Sequence, residues 1–114
     1  MHVTIHIVED DPGVGDALSL LLQQLGHETI VYADAEAFFR HTPPVDGDTV
    51  IVDLCLPGMP GMQVIRWLKS LNLQLKIIAI SGQPQASIRR MLQGETPDIL
   101  LRKPLREEAL TKYL

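Results

Sequence analysis

Thr49-Val50-Ile51-Val52-Asp53-Leu54-Cys55-Leu56-Pro57-Gly58-Met59-Pro60-Gly61 carries the clearest structural signal in the chain. Its first residues are apolar and mostly β-branched, the pattern of a strand buried on both faces, and the run stops at a carboxylate before a loop punctuated by Pro and Gly. Asp53 therefore stands at the mouth of a buried strand. Alone, it could simply cap the next helix. Three other apolar runs also end in residues suited to phosphoryl chemistry: Glu9-Asp10-Asp11 after Val3–Val8, Ser81 after Lys76–Ile80, and Lys103 after Ile99–Leu101.

Working outward, Val3–Val8 reads as a first strand, in which His6 is a strand residue with a local hydrogen-bond partner rather than a ligand. Asp11 before Pro12 is a helix-start signal. Val14, Ala17, Leu18, Leu21, Leu22 and Leu25 then form one apolar stripe on a helix that Gly26 ends. A second strand, Glu28–Tyr32, leads to a short helix over residues 34–40, closed by Thr42-Pro43-Pro44. Beyond the central loop Met62, Ile65, Leu68 and Leu71 recur at helical spacing, flanked by Arg66 and by Trp67, which is read as packing. Residues 75–80 form a fourth strand. Residues 86–93 form a short helix on a narrow face of Ile88, Met91 and Leu92. Residues 99–101 form a fifth strand, and a last helix runs from Arg106 to Leu114. Five alternations of strand and helix predict an α/β fold, a parallel sheet with helices on both faces. In such sheets ligands bind beyond the carboxyl ends of the strands, where the strand order reverses, which would gather Asp10, Asp53, Ser81 and Lys103.

The 114 residues suffice for one core, and an aromatic content of 4% makes that core aliphatic. A net charge of −4 argues against direct binding of nucleic acid by this segment. One cysteine excludes an internal disulfide and fits a reducing, cytoplasmic setting. No export signal or membrane span is read from the sequence.

Glu9, Asp10 and Asp53 converging at one rim would repel one another, and a divalent ion resolves the conflict. All-oxygen donors suit Mg2+, with Mn2+ as a substitute. Asp10 and Asp53 are expected to bind the ion directly, Glu9 through water, and the backbone carbonyl of Cys55 to complete the set. Asp53 is the candidate phosphoryl acceptor through an acyl phosphate, with Lys103 and Ser81 as partners of two phosphoryl oxygens.

Val8-Glu9-Asp10-Asp11, Asp53-Leu54-Cys55-Leu56-Pro57 with Gly61, Ile80-Ser81-Gly82 and Lys103-Pro104 together resemble the receiver domain of two-component response regulators, over essentially all 114 residues. The resemblance implies a flavodoxin-like, doubly wound sheet of order 2-1-3-4-5. It implies phosphorylation of Asp53 by a sensor histidine kinase with the metal present, and at most slow self-phosphorylation and self-dephosphorylation. It also implies switching of the surface formed by the fourth helix, fifth strand and fifth helix, where Arg89, Arg90, Arg102 and Arg106 cluster. Dimerisation would use that surface or the first and fifth helices. Leu100 stands where receivers often carry an aromatic switch residue, so the readout is expected to be coupled differently. Cys55 and Gln83 resemble positions that tune phosphate lifetime.

The stretch Tyr32–Phe39 resembles nitrogen-fixation-type regulators, whose LuxR-type output is a helix-turn-helix DNA-binding domain. With a last helix of about nine residues and no cap, the segment is expected to be a receiver domain, 1–114, cut from a longer chain. A haloacid-dehalogenase-type hydrolase would need a second Asp two residues after Asp53, where Cys55 stands. A flavodoxin-like cofactor binder would need a phosphate cradle where the first turn carries acids. A docking module without phosphorylation is opposed by the complete acceptor, metal and lysine set.

Overall fold

The sheet is built from β1 (Thr4–Val8), β2 (Glu28–Tyr32), β3 (Thr49–Asp53), β4 (Lys76–Ser81) and β5 (Ile99–Arg102), in the order β2-β1-β3-β4-β5 with every pairing parallel. This is a computed structural model, and it describes residues 3–41 and 43–114. The helices are α1 (Pro12–Gln24), α2 (Ala35–Arg40), α3 (Gly61–Ser70), α4 (Gln85–Leu92) and α5 (Glu107–Thr111).

Side-chain alternation divides the core into two layers. Ile5, Ile7, Ile51, Ile78 and Ile80 face Leu18 and Leu22 of α1 and Leu110 of α5. Val8, Val50, Val52, Ile77 and Ala79 face Phe38 of α2, Val64, Ile65 and Leu68 of α3, and Ile88 of α4. Every residue of β3 is buried, as its apolar run requires. Each fully buried Val or Ile contributes about 1.5–3 kcal/mol.

The first helix starts where the sequence says, and the second starts one residue later, behind its cap. Asp11 accepts from the N–H groups of Gly13 at 2.9 Å and Val14 at 3.3 Å, and Asp34 accepts from Ala37 N–H at 2.7 Å. Each such cap is worth about 1 kcal/mol. Gly26, with φ +93°, supplies the left-handed turn after α1.

Several expectations change. In the α1 stripe Ala17 and Leu25 are exposed, because the sheet covers a narrower arc centred on Leu18 and Leu22. The partners of His6 are not local: its Nδ1 meets the Tyr32 hydroxyl and its Nε2 the Asp48 carboxylate, each at 3.0 Å, across 26 and 42 residues. β4 is shifted by one residue, so Ser81 lies within the strand and not after it. α4 likewise begins one residue early, and β5 extends through Arg102. α5 is only five residues, with a turn in place of helix over 112–113. Thr42, part of the predicted close of α2, lies outside the described residues.

Candidate functional site

Parallel pairing brings all the strand carboxyl ends to one edge. Val8 is in register with Val52, Asp53 with Ile80, and Ser81 with Arg102, so the residues that follow β1, β3 and β5 share one rim. The site lies beside the β1/β3 boundary, where the winding direction reverses.

Glu9, Asp10 and Asp53 each place a carboxylate oxygen within 4.8 Å of the others. Lys103 enters from the end of β5. Its backbone N–H donates to the Ser81 carbonyl at 2.9 Å, and its Nζ donates to Glu9 Oε1 at 2.6 Å and Asp53 Oδ2 at 3.1 Å. Cys55 N–H donates to Asp53 Oδ1 at 3.0 Å. Both oxygens of Asp53 are thus held, and the carboxylate is fixed in a buried position.

The electrostatics follow from two buried carboxyls sharing one ammonium. Burial, reinforced by a hydrogen bond to Asp53, pushes the Glu9 carboxyl up to about 7. Burial also acts upward on Asp53, but hydrogen bonds from Glu9, Cys55 N–H and Lys103 outweigh it and hold Asp53 below the ordinary carboxylate value. Desolvation acts downward on Lys103, and its two carboxylate partners more than reverse that. Burial and the Asp53 charge raise the Cys55 thiol, which leaves it a poor nucleophile.

Glu9 Oε2 is buried and has no hydrogen-bond partner among the described residues. An unsatisfied buried carboxylate oxygen is costly, and here it lies in a pocket of oxygen donors only. That donor set fits a hard divalent cation and does not fit zinc.

The remaining sequence candidates fall around this centre. Ser81 is fully buried at the end of β4, and its Oγ accepts from Gln83 N–H at 3.1 Å. Leu100 is half-buried and packs into the layer that contains Ile88 of α4. Arg89 and Arg90 lie exposed in the last turn of α4, Arg102 is exposed at the end of β5, and Arg106 is exposed at the start of α5. None of these arginines touches the acidic centre through a described hydrogen bond or ion pair.

Sequence reasoning passed over two features. A Cβ on Gly61 would lie 2.7 Å from Leu54 Cα and nearer still to the Asp53 carbonyl oxygen, so α3 begins in direct backbone contact with the strand end that carries Asp53. The loop glycine was visible, its close approach was not. Asp48 was not singled out either, although it accepts from Thr4 N–H and Val45 N–H at 3.1 Å as well as meeting His6, and so ties β1 to the start of β3.

The family model described as the response regulator receiver domain matches residues 5–114. The transcriptional regulatory protein FixJ of Rhizobium meliloti (strain 1021) is 33% identical over 69% of this chain and 39% of its own length. The response regulator protein TmoT of Ectopseudomonas mendocina is 34% identical over 93% of this chain and 48% of its own. A solved structure, the crystal structure of FixJ-N, superimposes with a TM-score of 0.84 at 25% identity, covering 98% of this chain and 90% of that one. The chain spans about half or less of the length of these curated relatives. With its match over residues 5–114 and its β2-β1-β3-β4-β5 sheet, the chain belongs to the response regulator receiver domain family.

Proposed function

We propose that Asp53 accepts a phosphoryl group from the histidine of a sensor kinase, and that this event switches the α4-β5-α5 surface to control an output. The single observation that carries the reading is the convergence on Asp53 of two further carboxylates and the Lys103 ammonium. In the transfer an Asp53 oxygen forms a bond to phosphorus while the phosphorus–nitrogen bond of the donor breaks, and the imidazole keeps that electron pair and takes up a proton. The product is an acyl phosphate. Cys55 N–H and Lys103 orient the carboxylate, and Lys103 and Ser81 would receive phosphoryl oxygens.

Asp10 and Asp53 would hold Mg2+, with Mn2+ as a substitute, aided by Glu9 through water and the Cys55 carbonyl. When bound, the ion supplies positive charge that offsets the phosphoryl oxygens. The chain's own turnover is limited to slow self-phosphorylation from small donors and self-dephosphorylation. Leu100 replaces an aromatic switch residue with an aliphatic one, so the response is read through packing against α4 and the exposed Arg89, Arg90, Arg102 and Arg106. Pairing of two copies through this face or through α1 and α5 belongs to the same reading.

The output is transcriptional and lies in a linked segment, a reading supported by the regulatory relatives. The setting is cytoplasmic. Among the described residues no helix is long and apolar enough to cross a membrane.

Incubation with acetyl phosphate, with and without Mg2+, followed by mass measurement tests the proposal. The expected result is a gain of one phosphoryl group that requires the ion and is absent in Asp53→Asn. An unchanged wild-type mass, or a gain that persists in Asp53→Asn, rejects the assignment.

A further inference from the structure

His6 is a buried imidazole in the middle of β1 that the acidic rim does not use, and both of its nitrogens are engaged. Nε2 lies 3.0 Å from Asp48 Oδ2, and Nδ1 lies 3.0 Å from the Tyr32 hydroxyl. Burial acts upward on the Asp48 carboxyl, but hydrogen bonds from His6, Val45 N–H and Thr4 N–H hold it below its ordinary value, so it is ionised and can only accept. Nε2 therefore carries a hydrogen. Burial, with the Asp48 charge behind it, pushes the Tyr32 hydroxyl up to about 12, so Tyr32 keeps its proton. Nδ1 is the acceptor for that proton among the described residues. Were Nδ1 to carry a hydrogen as well, it would point at the Tyr32 oxygen and leave the buried hydroxyl hydrogen without a partner.

We propose that His6 is a neutral imidazole with its hydrogen on Nε2, the centre of a directed chain from Tyr32 to Asp48, and that protonation of Nδ1 unlatches Tyr32 while Asp48 keeps its hold. The step adds one solvent proton to Nδ1 and breaks one hydrogen bond, that from the Tyr32 hydroxyl. Histidine is the residue type whose ordinary titration falls between about pH 5 and 8. Among the described residues, the titratable or charged groups around His6 are Asp48 from the loop before β3 and Tyr32 from β2, with His41 edge-on to the Tyr32 ring. α2 presents Phe38 to it, and α3 adds only apolar side chains to this layer. The two ends of the chain respond differently. At one end the imidazolium gains an ion pair with Asp48, which still holds Thr4 and Val45. At the other end Tyr32, the last residue of β2, loses its acceptor, and its ring packs edge-on to Phe38 of α2 with centroids 5.0 Å apart. Protonation therefore loosens α2 and spares the amino end of the sheet. The latch does not depend on Asp53 being a phosphoryl acceptor.

The test uses the whole 15N-labelled chain freed of divalent ions. Long-range 1H–15N spectra report the imidazoles, with the His6 ring assigned through bonds from its own backbone, and amide hydrogen exchange is followed from pH 8 to pH 5. At pH 8 His6 shows a hydrogen on Nε2 and a bare Nδ1. As Nδ1 gains its proton, the amides of Ala37 and Phe38 in α2, corrected for the intrinsic effect of pH, exchange about tenfold faster. The amides of Thr4 and Val45, which Asp48 holds, do not. In Tyr32→Phe, which lacks the hydroxyl, and in His6→Gln, which lacks the titrating ring, corrected exchange in α2 is independent of pH.

Backbone spectra establish that each variant is folded, Tyr32→Phe decides the matter should His6→Gln not fold, and the wild-type spectra stand without either. A hydrogen on Nδ1 at pH 8 overturns the inference. So does an imidazole that stays neutral down to pH 5, or a protonated His6 with unchanged exchange in α2. A response of α2 that persists in the variants belongs to His41 or Glu9 and equally removes the latch.

Discussion

Gly61→Ala is the substitution whose effect the structure determines most directly. Gly61 is the first residue of α3 and its φ is not positive, so alanine can adopt its backbone conformation and the effect is purely steric. The added Cβ would lie 2.7 Å from Leu54 Cα, where 3.4 Å is the ordinary limit, and closer to the Asp53 carbonyl oxygen. Both neighbours are backbone, so rotamer changes cannot relieve the overlap. Either α3 or the end of β3 must withdraw by about 0.7 Å or more.

Overpacking of this kind costs about 1–3 kcal/mol, which for a domain of this size lowers the melting temperature by about 4–12 °C. The displaced group is the peptide that carries Asp53, so acetyl phosphate labelling should slow at least about tenfold, since misplacement by 1 Å can cost about a hundredfold. Gly47→Ala is the control. Its φ of +93° imposes left-handed strain, but no atom lies within 4 Å of the added Cβ, and it precedes the amino end of β3 whereas the acidic rim is at the carboxyl end. It should lower stability by about 1 kcal/mol and leave the labelling rate unchanged. A Gly61→Ala protein that melts within about 1 °C of wild type and labels normally would refute the close-approach reasoning.

Two further outcomes follow from the buried charges. Asp48→Ala strands the N–H groups of Thr4 and Val45 and one nitrogen of His6, and should cost about 3 kcal/mol in urea denaturation. Burial tends to raise the Asp48 carboxyl, but hydrogen bonds from His6, Val45 and Thr4 prevail and hold it below its ordinary value. Its contribution is therefore full above about pH 4 and is lost as pH falls through the lowered native value, so Asp48→Asn should flatten the acid limb of the stability curve. A parallel acid limb in the variant would contradict this. Lys103→Met leaves Glu9 buried without its cation, a loss of about 3 kcal/mol in metal-free protein at pH 8. The stranded carboxyl prefers its neutral form, so the deficit should shrink as pH falls toward 6. A deficit that is constant across that range would show that Glu9 is not the group left exposed to the loss.

The order of elements was legible because each depends on local spacing. The apolar run of residues 50–52 reads as a strand buried on both sides, and Asp11 announces the helix it caps, whereas Asp34, read as the first residue of α2, is its cap. Boundaries were less legible where local signals compete with pairing. Ser81 joins β4 because its carbonyl accepts the Lys103 N–H, a partner 22 positions away. α5 is shorter than the sequence suggests because an apolar residue at Leu114 suits a helix and a turn equally well, and in the structure it packs against the layer that holds Leu18 and Leu22 of α1.

Local sequence was enough to put acids, a hydroxyl and a lysine at the ends of four of the five strands, because strand period and turn chemistry act over a few residues. Tertiary structure decided which oxygen holds which proton. Glu9 and Lys103 are 94 residues apart, and the ammonium's seat, 2.6 Å from Glu9 and 3.1 Å from Asp53 at once, depends on strand register and side-chain length. The same holds for the His6 partnerships and for the seat of Gly61 against Asp53. Contacts of this kind are fixed by packing of the whole sheet to tenths of an ångström, a precision that no local periodicity encodes.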